Sequence, residues 1–215
     1  MQNAVFAFLL SVSSAALAQG ADVGLVNLVS GDVSYAPPSG PSAKVQAFMK
    51  VREGDRFDLS AGAQIRVVFF DGARQERWAG PASFKAAKTA SEPIAGKAAE
   101  VAILPAGVQQ RIARVPELIR HAKLGGIPIR GAITQPPPPR PEQQGTIRAV
   151  RETYAQMQKE MPADDVTPEL YLYAALHEFS LYDELKAVVA EMRRKQPENR
   201  DIKALEAWVT RHASH

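Results

Sequence analysis

The sequence predicts a mainly β N-terminal domain followed by a small all-α C-terminal domain. Residues before position 134 form short runs rich in β-branched and aromatic residues, separated by glycine, proline, aspartate and serine. From residue 146 onward the apolar residues recur at spacings of three and four, which is typical of amphipathic helices. Between the two parts, the sequence TQPPPPRPEQQG at residues 134–145 predicts a semi-rigid polyproline spacer.

The first residues predict export. An apolar stretch begins at Ala4 and ends in the sequence ALA at residues 16–18, the small-x-small pattern that precedes a signal-peptide cleavage site. We therefore expect a signal peptide at residues 1–18 and a mature chain that begins at Gln19. The stretch lacks a leading basic residue, and an uncleaved anchor is the alternative, but it is shorter than the roughly 18 to 20 apolar residues that a span needs. We expect a soluble periplasmic protein with no membrane span after cleavage.

Composition limits the classes of protein. The 215 residues are 46% hydrophobic, which is enough for one or two domains with a packed core. There is no cysteine, so neither a disulfide bond nor a lipid on a cleavage-site cysteine is expected. Residues 140–215 carry 11 Lys and Arg and 13 Asp and Glu, a net charge of −2, which leaves +5 for residues 1–139. The basic N-terminal part is suited to an anionic envelope partner, or it simply aids solubility. Because no dense basic patch is present, we expect no nucleic-acid binding.

The sequence IRVVFFDGARQERWAG, residues 65–80, predicts a β-hairpin. Asp71 and Gly72 form its turn because both residues tolerate positive φ. With these two as the loop, two cross-strand pairs are expected: Phe69 with Arg74, and Ile65 with Trp78. The first strand is apolar on both faces and is therefore expected in the centre of a sheet.

The second strand of this hairpin carries the candidate ligand face of the β-domain. It is amphipathic, so it is expected nearer an edge, with Arg74, Glu76 and Arg77 exposed to solvent. Arg74, Arg77 and Trp78 are the candidate ligand-binding residues. For Trp78 the favoured interpretation is an aromatic residue of the core, and the ligand-binding role is the alternative.

Residues 91–133 are expected to cover the open edge of the β-domain. The sequence EVAILPAGVQQRI could add a strand, and VPELIRHAKL predicts a short helix with Pro116 in its first turn. The sequence IPIRGAI, residues 127–133, predicts a last strand.

The order of motifs in the N-terminal part resembles a known family. GLVNLVSGDVSYAPP is followed by VREGDRFDLSAGAQIRVVFFDGARQERWAGPASF. This succession of a glycine-centred hairpin, a G-D step, a G-x-x-I-x-V-x-F-x-D-G core and a G-P-x-S-F strand resembles a FecR-like domain over residues 23–90. The resemblance implies an all-β sheet or sandwich domain, at residues 19–133, of the kind found in exported proteins. The transmembrane helix and anti-sigma segment of the family's iron-uptake regulators have no counterpart here.

The C-terminal part, residues 146–215, predicts four helices. They are expected from Thr146 to Met161, from Thr167 to about Phe179, from Ser180 with Asp183 in an approximate capping box, and from Asn199 to about His212. The middle pair, residues 166–199, resembles one tetratricopeptide repeat, although Leu185 stands where that family prefers alanine. The resemblance implies an inner, partner-binding face made by Thr167, Leu170, Ala174, His177 and Glu178. The alternative is a helical hairpin that docks on its neighbours or dimerises.

The sequence predicts no enzyme, no cofactor and no metal site. It contains no cysteine nucleophile, no G-x-S-x-G turn, no phosphate-binding glycine loop and no HExxH motif. His177 and Glu178 are adjacent, so on a helix they point about 100° apart and make a poor metal pair. Asp164 and Asp165 precede a helix and are interpreted as loop and helix N-terminal charges.

Three functions therefore remain. The leading one is a non-catalytic exported adaptor, whose β-domain binds an envelope ligand or protein and whose helical domain binds a protein. One alternative is a module that binds cell-wall or surface glycan, which would use exposed aromatic rings. The other is a structural subunit whose helical domain self-associates.

Overall fold

The protein has two β-sheets packed face to face, followed by a layer of helices. The computed structural model describes residues 20–124 and 140–212. Ten strands lie in this part of the chain: β1 (Asp22–Ser30), β2 (Val33–Ala36), β3 (Ala43–Lys44), β4 (Lys50–Arg52), β5 (Arg56–Leu59), β6 (Gln64–Phe69), β7 (Arg74–Ala79), β8 (Ala82–Ala86), β9 (Ser91–Ala95) and β10 (Glu100–Ile103). They form sheet 1, in the order β10-β7-β6-β1-β4, and sheet 2, in the order β3-β2-β5-β8-β9, with antiparallel pairing in both. The predicted mainly β N-terminal region is confirmed.

The hairpin of β6 and β7 has the predicted register. Ile65 lies opposite Trp78, and Phe69 lies opposite Arg74. Gly72 is required in the connecting loop because a Cβ at this position would lie 1.9 Å from a backbone carbonyl oxygen of a neighbouring loop. β6 is the middle strand of sheet 1 and is buried on both faces, as its apolar sequence predicts.

Stacked aromatic rings fill the space between the two sheets. The ring centroid of Trp78 in sheet 1 lies 4.7 Å from that of Phe84 in sheet 2, and Phe84 lies 4.9 Å from Phe57. Trp78 is 1% exposed, which confirms its interpretation as a core aromatic residue. Such offset ring contacts add to the stabilisation from burial alone.

The structure corrects the prediction that Glu76 faces solvent. Glu76 lies on the same face of β7 as Trp78 and is 1% exposed. Its carboxylate pairs with Arg74 at 2.9 Å and accepts hydrogen bonds from the backbone N–H and the hydroxyl of Ser91 in β9. A buried carboxylate is tolerated here because Ser91 of β9 and the indole N–H of Trp78 donate hydrogen bonds to it.

Helices follow the strands. Those in the described residues are α1 (Val108–Ile112), α2 (Val115–Lys123), α3 (Pro141–Glu160), α4 (Thr167–Glu178), α5 (Tyr182–Lys195) and α6 (Arg200–His212). From α3 to α6 each helix packs against the next, which confirms the predicted small all-α region. The predicted helix with Pro116 in its first turn is confirmed as α2.

Of the four helix starts predicted after the spacer, two are confirmed and two are wrong. The first helix, α3, begins at Pro141 and not at Thr146, because proline is tolerated in the first turn of a helix, so residues 141–145 are helical and do not belong to a polyproline spacer. α4 begins at Thr167, and the side chain of Asn199 accepts hydrogen bonds from the first backbone N–H groups of α6. The expected capping box of Ser180 and Asp183 does not form. Ser180 has a φ of 57° and closes the turn after α4, so α5 begins only at Tyr182, without a side-chain cap.

The β region and the helical region share a hydrophobic core. Leu25, Phe48 and Val68 of the β region belong to the same buried cluster as the apolar side chains of α1 to α6. α1 packs against α4 and α2 packs against α6, so the last part of the expected β-domain joins the helical layer. The outer face of sheet 1 is thus covered by helices.

Several predicted segments lie wholly or partly outside the described residues. The signal peptide at 1–18 and the last strand at 127–133 are among them. Of the predicted spacer at 134–145, the described part is helical from Pro141 onward. Within residues 20–124 and 140–212, no helix is both long enough and apolar enough to cross a membrane.

Candidate functional site

A buried polar network joins sheet 1 to the helical region. Asn27 of β1, Gln75 of β7, Asp165 and Thr167 are each at most 5% exposed. The side-chain amide of Gln75 donates to the carboxylate of Asp165 at 2.5 Å and accepts from the hydroxyl of Thr167 at 2.5 Å. Asn27 Nδ2 donates to Gln75 at 2.9 Å and to Asp165 at 3.2 Å. Polar groups that are far apart in the sequence therefore hold sheet 1 against the start of α4.

Two ion pairs flank this network. Arg66 of β6, whose side chain is 3% exposed, donates to both carboxylate oxygens of Asp164 at 3.0 and 3.1 Å. Lys195 at the end of α5 donates to the carboxylate of Glu169 and to the backbone carbonyl of Asp165, both at 2.8 Å. As interpreted, both residues lie in the loop before α4, and Asp165 accepts a hydrogen bond from the backbone N–H of Thr167, the first residue of that helix. They lie at the contact between the two regions and accept hydrogen bonds there.

A cleft opens beside the network, between the edge of sheet 1 and the turn that joins α5 to α6. Its volume is about 580 Å³, within the roughly 300 to 1,000 Å³ that is usual for ligand sites. One wall is the end of β1 together with the loop before β4, and the other wall is the α5–α6 turn. The lining residues are Leu28, Val29, Ser30, Gln46, Ala47 and residues 195–201.

A second cavity of about 420 Å³ extends the cleft along α2. It shares Gln46, Ala47 and Asp201 with the first cavity. Its further lining includes apolar side chains, among them Met49 and Ile119. The two cavities together make a groove that runs from the edge of β1 to the surface of α2.

Strand β1 presents a free edge to this groove. Up to Val26 it exchanges backbone hydrogen bonds with β4 and with the loop before it. A bulge then falls between Val26 and Leu28, and bulges commonly end strand pairing. From Leu28 to Ser30, β1 pairs with β6 on one side and, among the described residues, with no strand on the other. At the bulge, the carbonyl of Asn27 accepts a hydrogen bond from the side chain of Gln196 at 2.8 Å.

The charged residues of the groove are mostly basic. Four lining residues are basic and two are acidic: Arg120, Lys123, Lys195 and Arg200 against Glu198 and Asp201. Arg200, the first residue of α6, is exposed. Within the described part of the chain, its guanidinium makes no ion pair and no hydrogen bond. It is therefore available to a ligand carboxylate, which a guanidinium can bind through two parallel hydrogen bonds.

The structure corrects the predicted partner-binding face of the helical region. Thr167 and Leu170 are 0% exposed and Ala174 is 1% exposed. α4 is the central helix, in contact with α1, α3 and α5, so these three side chains cannot reach a partner in the folded protein. Only the end of α4 is accessible, where His177 is half-buried and Glu178 is exposed.

His177 lies in a cluster of aromatic rings at this end of α4. Its ring centroid is 5.1 Å from that of Trp208 and 5.8 Å from that of Tyr182, and Trp208 stacks on His212 at 4.1 Å. Burial, and secondarily the basic groups nearby, lowers the pKa of His177 to about 4. The imidazole is therefore neutral near pH 7 and packs as part of the helical core.

The three residues of the predicted ligand face of the β-domain do not form one surface. Alternate residues of a strand point to opposite faces of the sheet. Arg74 and Trp78 therefore point toward sheet 2, and Trp78 is buried there. Arg77 points to the opposite face, where it bonds to Gln64 and Glu100 at 3.0 Å.

The groove residues were missed by sequence reasoning. Pro197 and its neighbours indicate the end of a helix, and Ser30 and Gly31 indicate the end of a strand, but no local pattern indicates that the two ends meet. In residues 20–124 and 140–212, no group of three or more histidine and carboxylate side chains is placed to hold a metal ion.

The chain was compared with known families, curated proteins and solved structures. No protein-family model matches it, and no curated protein or solved structure is significantly similar to it. The resemblance of residues 23–90 to a FecR-like domain, and that of residues 166–199 to a tetratricopeptide repeat, therefore stay predictions.

Proposed function

We propose that the protein is a non-catalytic, exported binding protein of the adaptor class, and that the groove beside β1 holds its protein partner. The observation that carries the proposal is the presence of a free strand edge and an unpaired, exposed arginine in one cleft. Sites that bind ligands are typically concave and largely pre-formed. The groove has both properties.

Direct contacts support the view that the groove is pre-formed. Gln196, from the helical wall, donates to the backbone carbonyl of Asn27 in β1. Lys195, next to it, is tied to Glu169 and to the carbonyl of Asp165. Because the two walls already hold each other, less conformational entropy is lost when a ligand binds between them.

The exported location in this proposal comes from the sequence of the first eighteen residues. We expect the protein in the periplasmic fraction of cells that express the full chain, with an N-terminus at Gln19 after cleavage. Cell fractionation followed by N-terminal sequencing measures both. A chain that stays in the cytoplasm and keeps residues 1–18 would contradict this part of the proposal.

The positions of the aromatic rings favour a protein partner over a glycan. Sugars stack on exposed flat rings, but Trp78, Phe57 and Phe84 are at most 1% exposed and lie between the sheets. Tyr35 is half-buried, and its ring stacks on Phe57 at 6.0 Å. The described β region thus offers no broad aromatic platform for a sugar.

Site-specific photo-crosslinking tests the proposed site. Gln46 and Glu198 are exposed and line the groove, whereas Arg148 is exposed on α3 and lines neither cavity. A photoreactive amino acid at Gln46 or at Glu198 is expected to capture the same protein in cells, and the matched control at Arg148 is expected to capture none. Capture at Arg148 alone, or at no position, would contradict the proposal. A product that contains only this chain would favour the self-associating subunit instead.

A further inference from the structure

We infer that the groove takes an extended, acidic peptide segment as an added strand on β1. The inference rests on the proposed function, since it specifies the partner of the same groove. A free strand edge, an elongated apolar cavity and an uncompensated arginine lie together there. Each of these features matches one property of such a peptide: its backbone, its side chains and its charge.

The free edge of β1 is suited to strand addition. An exposed sheet edge presents unpaired backbone N–H and C=O groups that an extended peptide can complete. Protective features of edge strands include proline, charged side chains and bulges within the edge. The stretch from Leu28 to Ser30 contains neither a proline nor a charge, and the bulge of β1 lies before it, between Val26 and Leu28. The edge strand β9, in contrast, carries Glu92, Pro93 and a register shift within its own length. The β1 edge is therefore open in a way that the β9 edge is not.

The dimensions of the groove fit a short extended segment. At about 3.3 Å per residue, the three residues from Leu28 to Ser30 pair with three or four residues of a partner. The second cavity then continues the groove by about 420 Å³ along apolar side chains of the 46–49 loop and α2. Because side chains alternate along a strand, one row of the peptide's side chains would enter this apolar space while the other row faces solvent.

The charge of the groove selects an acidic partner. Its other charged lining residues already have partners: Lys123 with Asp201, Lys195 with Glu169, Arg120 with Glu117, and Glu198 with Lys203. Among the charged lining residues that the structure describes, Arg200 alone has no ion-pair partner. An aspartate or glutamate of the peptide would form an ion pair with Arg200, whereas a basic peptide would place a second unpaired positive charge beside it.

Selection from a random phage-displayed library of twelve-residue peptides on the purified full chain tests the inference. The enriched peptides are then synthesised, and their affinity is measured by fluorescence anisotropy. Hydrogen–deuterium exchange of the free and the bound protein locates the backbone amides that the peptide protects. Arg200→Glu is the test variant, and Arg148→Glu, an exposed arginine on α3 outside the groove, is the matched control.

The expected result has three parts. The enriched peptides share an aspartate or glutamate among β-branched residues. Their binding slows exchange at least tenfold at those backbone amides of residues 28–30 that point away from β6. Arg200→Glu weakens their binding about tenfold, because an attractive charge becomes a repulsive one. Arg148→Glu leaves the affinity unchanged.

Other outcomes overturn the inference and separate it from the proposed function. Peptides that protect the 46–49 loop or the α5–α6 turn without protecting residues 28–30 would refute strand addition and leave the groove as a binding site. Peptides that protect residues 28–30 but bind Arg200→Glu as tightly would refute the acidic specificity. No enrichment, or protection only at an outer strand such as β10 (Glu100–Ile103), would overturn both the inference and the proposed site.

Discussion

Removal of the Asp165 carboxylate is expected to destabilise the β region and the helical region together. Asp165 is 1% exposed and accepts hydrogen bonds from Gln75, Asn27 and the backbone N–H of Thr167. Asp165→Ala leaves the side-chain amide of Gln75 and the backbone N–H of Thr167 buried without an acceptor, whereas Asn27 still donates to Gln75 and Thr167. Gln75 belongs to the β region and Thr167 to the helical region, so the substitution should destabilise both regions together.

The magnitude follows from burial and from the number of donors. Breaking a buried, charged hydrogen-bond arrangement by removal of one partner costs about 3 to 5 kcal/mol. With a urea dependence of about 2 kcal/mol per M, the midpoint of unfolding should fall by about 2 M. The matched control is Asp58→Ala, which removes only a half-exposed pair with Arg56 on sheet 2 and should change stability by less than about 0.5 kcal/mol.

The two tryptophans of the chain give each region its own probe. Trp78 lies between the sheets and Trp208 lies among the helices. In Trp208→Phe the fluorescence of Trp78 reports the β region, and in Trp78→Phe the fluorescence of Trp208 reports the helical region. We expect Asp165→Ala to lower the urea midpoint reported by Trp78 and the urea midpoint reported by Trp208 by the same amount. If it lowers one midpoint and leaves the other in place, the two regions unfold independently and the reasoning is wrong.

Three further predictions concern stability. The pKa of His177 is lowered from 6.5 to about 4 in the folded protein. As the pH falls, the imidazole is therefore protonated in the unfolded chain before it is protonated in the folded one. The free energy of unfolding is thus unaffected above pH 6.5 and decreases as the pH drops toward 4. In His177→Gln this decrease in stability at low pH should be smaller by about 1 to 2 kcal/mol, a value that allows for the partial exposure of the ring. If the melting temperature depends on pH in the same way in both proteins, this prediction is wrong. Leu185 is 0% exposed in the core of the helical region, and Leu185→Ala should cost about 2 to 5 kcal/mol in urea unfolding. A neutral effect would contradict its role in the core. Gly72→Ala places a Cβ 1.9 Å from the carbonyl oxygen of Thr89 and should cost more than about 1 kcal/mol in thermal unfolding, whereas an unchanged melting temperature would mean that the loop gives way.

The sequence was most informative where neighbouring residues decide the structure. The register of the β6–β7 hairpin is the one expected with Asp71 and Gly72 in the loop, although the loop residue with positive φ is Ala73 and neither of these two. α4 begins with Pro168 in its first turn, and the side chain of Asn199 caps α6. These features depend on turn and cap chemistry within a few residues. The capping box of Ser180 and Asp183 failed because Ser180 is needed, with positive φ, to close the preceding turn.

The sequence was least informative about the contact between the two regions. The proline-rich stretch suggested two separate domains, but the helices cover sheet 1 and share its core. One residue did carry a signal. Val68, on the outward face of the central strand, is apolar, which indicates that something covers that face. What covers it cannot be inferred from the strand alone.

The sequence by itself determined the fold class, the hairpin register, the core position of Trp78 and the order of the helices. These depend on hydrophobic periodicity and turn residues, which act over a few residues at a time. Only the tertiary structure decided that Asn27 meets Asp165, that Glu76 is buried and that β1 and the α5–α6 turn enclose a groove. Periodicity indicates which face of an element is buried, but the partner that buries it is chosen by packing between segments that lie 15 residues apart for Glu76 and Ser91 and 138 residues apart for Asn27 and Asp165.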